Sequence, residues 1–520
     1  MSGSRSSAVR AFIKPALIVT CFAPRSAENS ESAHPYVGAL WTACRALGMT
    51  SPIVGLPEPE PVLPQVPDQA QEFTMLTAAT RDSADEIYSA FAFAEHDVTG
   101  LVALLAPNDT QTDLGQWSDL LNEWTTALTA AGPLPSPHGI LHEFRIFEAL
   151  LGGFRGGRRS LCDQIRRCAP SGGSGPWWEG FDETNEGFRV WRAEEYDSLK
   201  MVSDLYVLAP ARLESALDAW AWTVPAHQGL RPLTRYLMNA ARVNHARRLY
   251  ASSDPLQPRI DQSDRETTAL LQTLEPAASG APVPLDRVQR AADLLDRTQF
   301  FGPHGLLWTI TQQRQLTRTV SIAIDNMRLN TPAVRRRGPG HTWPDTDLAA
   351  AEALIRQMES DQVHLEATRE RADAARSVAS AITERVLTER RNQLTLIQTS
   401  VLGAVITALT AVQAFNYKLP VSRALQSPLI LLLAALALAL PLAVLRSAGG
   451  AAVSTSYRWL DSCAAGLVGT TAGWTAVAAW GVRSGHGTVP MVVTLPCAGV
   501  AGLLTYGAYH FLVRRRSRSR

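Results

Sequence analysis

Four long stretches near the end of the chain carry no charged side chain, and they constrain the fold more than any other feature. Asn392 to Tyr417 holds 26 uncharged residues and Ala424 to Leu445 holds 22, including the run LILLLAALALALPLAVL. Ser462 to Val482 holds 21, and Val489 to Val513 holds 25 with only His510 titratable. A bilayer core needs roughly 20 apolar helical residues. A helix also keeps its backbone hydrogen bonds internal, as lipid demands. Four transmembrane helices in two hairpins are therefore expected, at about 395–415, 425–445, 461–481 and 490–512. The alternative, a buried helical core, fits poorly with four consecutive segments apolar on all sides.

Arginine placement sets the orientation. Arg376, Arg385, Arg390 and Arg391 precede the first span, Arg446 and Arg458 lie in the middle loop, and the tail 514–520 carries Arg514, Arg515, Arg516 and two more. The opposite side has only Lys418, Arg423 and Arg483. Both termini are expected in the cytoplasm of a multi-pass protein of the plasma membrane. Nothing charged sits inside these four uncharged stretches, which argues against ion-coupled transport. The third carries Ala465, Gly469 and Gly473 at four-residue spacing, a face that lets helices approach closely.

The rest of the chain is of another kind. The net charge is +1, so no bulk pull toward nucleic acid is implied and no nucleic-acid partner is expected. Six cysteines are scattered without a CxxC pair, which suits a reducing compartment. A signal-peptide core can be forced onto Ala16 to Ala23, but ALIVTCFA closed by Pro24 reads better as a buried strand. Ser32 to Leu47 has helical spacing and Gly48 as its stop. Six prolines between Pro52 and Pro67 make a loop. Ile87 to Glu95 and Leu101 to Ala106 read as a hairpin around His96–Gly100, and Asp113 to Ala130 as an amphipathic helix.

The same order then recurs. Ile140 to Leu150 reads as a strand, Ser160 to Cys168 as a short helix, Phe188 to Ala193 and Met201 to Ala209 as a second hairpin, and Ala211 to Trp222 as a second Trp-bearing helix. LVALLAP ends at Pro107 with Trp117 ten residues later; DLYVLAP ends at Pro210 with Trp220 ten residues later. CFAP, ending at Pro24, with Trp41 is a looser copy. In each, the proline ends a strand and a tryptophan is expected to pack inside, as is Trp124. The pattern predicts an α+β region of two βαββα units, 12–135 and 136–230, with a ferredoxin-like arrangement as one form of it.

Beyond Pro232 the pattern is helical over 231–335, with pieces at Leu233 to Tyr250, Ser263 to Leu274, Asp286 to Phe300 and Leu306 to Leu329. Asp345 to Asp347 is a plausible helix cap. From Leu348 no Pro or Gly occurs until Gly403. Leu354, Met358, Leu365, Ala372, Ala375, Ala379, Ile382 and Val386 fall on a four-three register. This predicts a long helix or coiled-coil stalk over 345–394, roughly 70 Å long, running into the first span. The alternative is that the helix packs on its own domain.

No catalytic constellation emerges. His138, His142 and Glu143 lack the HExxH order, and Gly152 to Arg159 is Gly-rich and basic but has no phosphate-loop spacing. Cys21 with His34 and Cys162 with Cys168 have no flanking signature. The WWEGFDETNEG stretch favours a cryptic enzyme only weakly, since adjacent tryptophans usually pack. The expectation is no catalytic, cofactor-binding or metal site.

Several of these segments resemble one family. CFAP with LWTACRALGM, LVALLAP with its Trp helix, DLYVLAP with ALDAWAW, LTRYLMNAARVNHARRLY, RTVSIAIDNMRLN and VHLEATRERA together are similar to the actinobacterial CATRA proteins, associated with caspase-like peptidases and tetratricopeptide repeats. The resemblance covers nearly all of residues 12 to 375. It implies a sensor or adaptor in an anti-invader conflict system, with a caspase-like or repeat-containing partner, and says nothing about a reaction; with no catalytic constellation in the sequence, a non-enzymatic role is expected, and homo-oligomerisation is left open. A membrane effector, whose spans assemble to permeabilise the bilayer, is the alternative.

Overall fold

A computed structural model describes residues 12–25, 27–65, 72–84, 86–107, 115–135, 139–152, 157–170, 176–193, 200–222, 229–252, 256–279, 281–300, 305–331, 333–335, 342–416, 422–448, 458–485 and 490–518. It divides into two compact units: Met1–Arg259 with Leu306–Glu366, and Ile260–Gly305 with Ala367–Arg520.

The first unit is built on one nine-stranded mixed sheet. Its strands are β1 (Phe12–Pro24), β2 (Thr74–Thr80), β3 (Glu86–Glu95), β4 (Val98–Pro107), β5 (His142–Leu151), β6 (Asp182–Thr184), β7 (Arg189–Arg192), β8 (Val202–Pro210) and β9 (Val334–Arg335), in the order β2-β3-β4-β1-β5-β8-β7-β6-β9. β5 and β8 run parallel; the other neighbouring pairs are antiparallel. One face is covered by α1 (Ala27–Ala46), α2 (Gln116–Ala130) and α3 (Arg158–Cys168). The other is covered by α4 (Glu214–Ala221), α5 (Pro232–Ser252), α8 (Leu306–Asn330) and the beginning of α9 (Trp343–Asn416). Coverage of both faces explains why the central strands read as nearly continuous apolar runs rather than alternating ones.

The repeat differs from the sequence expectation by one strand. Each copy is βαβββα, namely β1-α1-β2-β3-β4-α2 and β5-α3-β6-β7-β8-α4. The two copies share one sheet, with β1 beside β5 at its centre. Three strands rather than two separate the helices, so the connectivity is not that of a ferredoxin-like split βαβ. β2 is small-residue TMLTAAT and β6 has three residues, so neither carries a hydrophobic period that sequence reading can detect. The copies also diverge in direction: β4 is antiparallel to β1, whereas β8 is parallel to β5. The β3–β4 turn is shorter than expected, only His96 and Asp97, with His96 at φ 53°. Two-residue hairpin turns call for such positive φ values. Gly100 in β4 lies opposite Phe93, whose ring covers it; a Cβ there would meet ring Cε1 at 2.5 Å.

In the second unit, α6 (Leu256–Ala278), which starts in the first unit, and α7 (Leu285–Phe300) pack on the later part of α9. Leu270, Leu274, Val288 and Leu295 meet Ala372, Ala375 and Ala379. The four-three seam is thus occupied by the chain's own helices through this region. Arg376 reaches Asp296 at 3.0 Å and Arg371 reaches Asp264 at 3.4 Å. Three more helices follow: α10 (Arg423–Ala448), α11 (Arg458–Arg483) and α12 (Met491–Arg518). Together with the end of α9 they cover most of the four uncharged stretches. Among the described residues one helix, over Met491–Tyr509, is long and apolar enough to cross a membrane, and Ala424–Ala439 is a shorter apolar stretch. α11 and α12 pack closely through small residues: a Cβ on Gly473 would lie 2.5 Å from the Ala501 Cβ, and Gly469 faces Thr505.

Replacing Gly100 by leucine forces the Phe93 ring off its site. Thermal or chemical denaturation should show a loss of about 1–3 kcal/mol or more, as overpacking typically costs.

Candidate functional site

The central strands carry charges that the two-faced sheet must accommodate. On the α1–α3 face, Glu143 of β5 stands opposite Cys21 of β1 and accepts a hydrogen bond from the Tyr36 hydroxyl of α1 at 2.9 Å. Two residues on, Arg145 pairs with Asp204 of β8 at 2.6 Å. Burial raises the Glu143 carboxyl above its usual range, while Tyr36 and Arg145 act against the shift. Burial pushes the Cys21 thiol well up, and Glu143 adds to it. Cys44 and Cys162 are likewise raised by burial, and Cys168 is pushed up to about 11. A nucleophilic cysteine needs a lowered pKa, so these thiols are held in their inert form.

On the opposite face, His142 shares a hydrogen bond with Ser203 at 2.9 Å and lies 4.4 Å from the Phe144 ring. Burial, with Arg248 and Arg192 nearby, lowers its pKa to about 3, so it stays neutral. His138 lies outside the described residues, as do 153–156 of the Gly-rich segment, 336–340 of RRRGPG, and Lys418. No group of three metal-ligating side chains occurs among the described residues. Glu148 is 5 % exposed, and its Oε1 has no hydrogen-bond partner among the described residues. Burial first, and Asp218 of α4 second, raise its pKa to about 8.

The densest set of long-range polar contacts sits where α9 begins. Asp347 receives hydrogen bonds from the Arg192 guanidinium of β7 and, at 3.0 Å, from the Tyr236 hydroxyl of α5. The backbone N–H of Trp343 donates to Asp182 of β6 at 2.7 Å. The Trp343 ring stands edge-on to Tyr236 at 4.8 Å. Thr342 rather than Asp345 caps the helix, accepting from Asp345 N at 3.4 Å on its hydroxyl and from Thr346 N at 2.8 Å on its carbonyl. Further along, Arg328 holds Glu352 at 2.6 Å, Gln313 donates to the Met358 carbonyl at 2.7 Å, and Tyr250 bonds Asp361. The first six turns of α9 are therefore clamped to the sheet, α5 and α8. This arrangement is a joint between a sheet and a long helix.

The sequence-predicted residues are distributed around this joint rather than in it. Trp41, Trp117 and Trp124 are buried on the α1–α3 face. Trp220 is half-buried on the other face, 5.2 Å from Phe188. Pro24, Pro107 and Pro210 are the last residues of β1, β4 and β8. Arg390 and Arg391 are exposed on α9; Arg514, Arg515 and Arg516 lie in α12, with their side chains outside the described set. Sequence reading missed Arg192, Tyr236 and Asp182, whose partners lie 155, 111 and 161 residues away. The one available signal was charge inside apolar strands, as in HEFRIFEALL, where a buried ion demands a partner.

Two family models match the chain: a caspase and TPR repeat-associated N-terminal domain over residues 16–225, and the corresponding C-terminal domain over 231–372. No curated protein matches. Among solved structures, the CorA magnesium transporter from Methanocaldococcus jannaschii is similar over 60% of this chain and 92% of its own, at 12% identity and a TM-score of 0.21, too low to carry any argument.

Two outcomes follow from this geometry. Asp347→Ala takes a carboxylate from the half-buried Arg192 and from Tyr236, a loss of about 3 kcal/mol, the low end for a broken buried pair; hydrogen exchange should accelerate first over residues 343–366. Glu148 has a folded pKa of about 8 against 4.5 for a free side chain. The native state therefore holds an extra proton between those values, and stability falls as pH rises through that window. Melting curves from pH 6 to 9 should decline for the wild type and decline less for Glu148→Gln.

Proposed function

The chain belongs to the caspase and TPR repeat-associated family, and from that premise we propose a non-enzymatic, membrane-anchored sensor or adaptor of a bacterial conflict system. Its partner in this reading is a caspase-like peptidase or a tetratricopeptide-repeat protein. The observation that carries the adaptor role is the clamp at the start of α9. A trigger that shifts the sheet or α5 acts directly on Asp347, and the same helix continues to Asn416. The inert thiols and the neutral His142 are in keeping with a protein that works by contact.

The membrane part of the proposal is four spans, with both termini cytoplasmic, the orientation that the arginine distribution favours. Broad apolar exposure supports it: Leu409 is 60% exposed, Leu503 72% and Val492 83%. Contiguous apolar surface of this kind is stable against lipid and unstable in water. The close α11–α12 packing favours a second reading, in which the spans oligomerise and permeabilise the bilayer.

The test is affinity capture of the tagged full-length chain from native cells, read by mass spectrometry. Recovery of a caspase-like peptidase or a repeat protein, absent from an untagged control, is the expected result; finding neither removes the adaptor reading. Alkaline extraction of the same membranes should leave the chain in the pellet. Release of dye from liposomes by the purified chain would move the choice to the effector.

A further inference from the structure

Helix α3 has a strongly one-sided surface. Leu161, Cys162, Ile165 and Cys168 are buried toward the sheet. Arg158, Arg159, Arg166 and Arg167 are exposed on the other side. Arg158 and Arg159 stand in the first turn with no acidic residue, and Gly157 supplies no side-chain cap. Cations at the positive end of a helix dipole are unfavourable. Among the described residues none of these four arginines, nor Arg189 of β7, forms a salt bridge with a carboxylate, although Arg158 acts at longer range on Asp182.

The guanidiniums are placed on aromatic rings instead. Arg158 lies 4.6 Å and Arg189 5.5 Å from the centre of the Phe181 ring, and Arg166 lies 4.7 Å from that of Trp178. Trp178 stands edge-on to Trp177 at 6.0 Å, and Trp177 stacks on the buried Tyr206 at 4.9 Å. Ring contact holds the guanidiniums in place, and Arg158 adds one 3.4 Å bond to the Phe181 carbonyl. Asp163 and Glu179 are exposed acids of the patch and Asp182 is a half-buried one, against four exposed arginines.

We propose that this face of α3, together with Trp178 and Phe181, binds single-stranded nucleic acid. The exposed arginines take phosphates, and bases stack on the guanidiniums that lie over Trp178 and Phe181, as bases do on arginine in single-strand sites. A duplex keeps its base faces stacked and has no use for the aromatic part. An anionic membrane is disfavoured because the exposed side of α3 has no large apolar residue to insert, and Trp177 and Trp178 are committed to packing. The net charge of +1 does not oppose this, because the charge is local. The site is independent of the partner reading, since it requires only this chain.

The experiment is fluorescence anisotropy of a labelled oligo(dT) or oligo(U) of about 15 nucleotides with the purified full-length chain in detergent. Binding should weaken steeply between about 50 and 200 mM salt. Arg158→Glu with Arg166→Glu should lower affinity at least about tenfold, and Trp178→Ala about fivefold to tenfold, while Arg318→Glu on α8 changes nothing. Melting curves of each variant verify folding; the arginines are exposed, so a folded variant is expected. Absence of binding at low salt, or equal binding by the charge-reversed variant, overturns the proposal. So does competition by inorganic polyphosphate combined with no effect of Trp178→Ala, which would leave an unspecific cation patch. Arginine-dependent binding to phosphatidylglycerol vesicles without oligonucleotide binding would reassign the face to a membrane.

Discussion

Covering both faces of a sheet with helices removes its central strands from water, and the rest of the first unit follows from that constraint. A charge on such a strand must find its partner inside the protein. Glu143 finds Tyr36, Arg145 finds Asp204, and Arg192 finds Asp347. Each partner lies on a different element, so each pairing fixes a helix or strand as well as a charge. Tyr36 fixes α1, Asp204 sets β8 against β5, and Asp347 fixes the origin of α9. The Glu148 Oε1 has no such partner among the described residues, and burial raises this carboxyl to about 8 instead. The polar network is in this sense the fastening that positions the layers, and the apolar clusters supply the cohesion.

What sequence reading could recover follows from the range of the forces involved. The strand-ending prolines, the buried Trp41, Trp117 and Trp124, and the succession of α5 to α9 are local patterns and were legible. β2, β6 and β9 were not, because short or small-residue strands leave no period to detect. The four-three register on α9 was visible, but its occupant was not. An alanine-rich stripe is the same signal whether it meets a second chain or the chain's own α6 and α7. The joint at Asp347 was out of reach for a different reason: its contacts close loops of more than a hundred residues, and only the fold brings them together.

The internal repeat shows how duplicate segments take on separate roles. The two LAP-proline segments read alike, yet α2 joins the α1–α3 face and α4 joins the α5 face. Trp117 donates its indole N–H to the Glu148 carbonyl in the core at 2.9 Å, whereas Trp220 remains half-buried beside Phe188. α1 and α3 occupy equivalent places in the two copies but differ in character. α1 buries Trp41 and Cys44 over 20 residues, while α3 is 11 residues long and presents arginines to solvent.

The joint at the start of α9 also has a place in the history of each molecule. Asp182, Arg192 and Tyr236 all precede Trp343, so every group that grips the helix is made before the helix is. Synthesis proceeds at about 5–20 residues per second. The stretch from Asp347 to the first long apolar stretch thus gives the sheet layer a lead of roughly a few seconds, comparable with the milliseconds to seconds in which sheet-rich domains fold. The apolar helices are in this way delivered by an already folded body. The nascent chain meets its final surroundings with the grip on α9 closed.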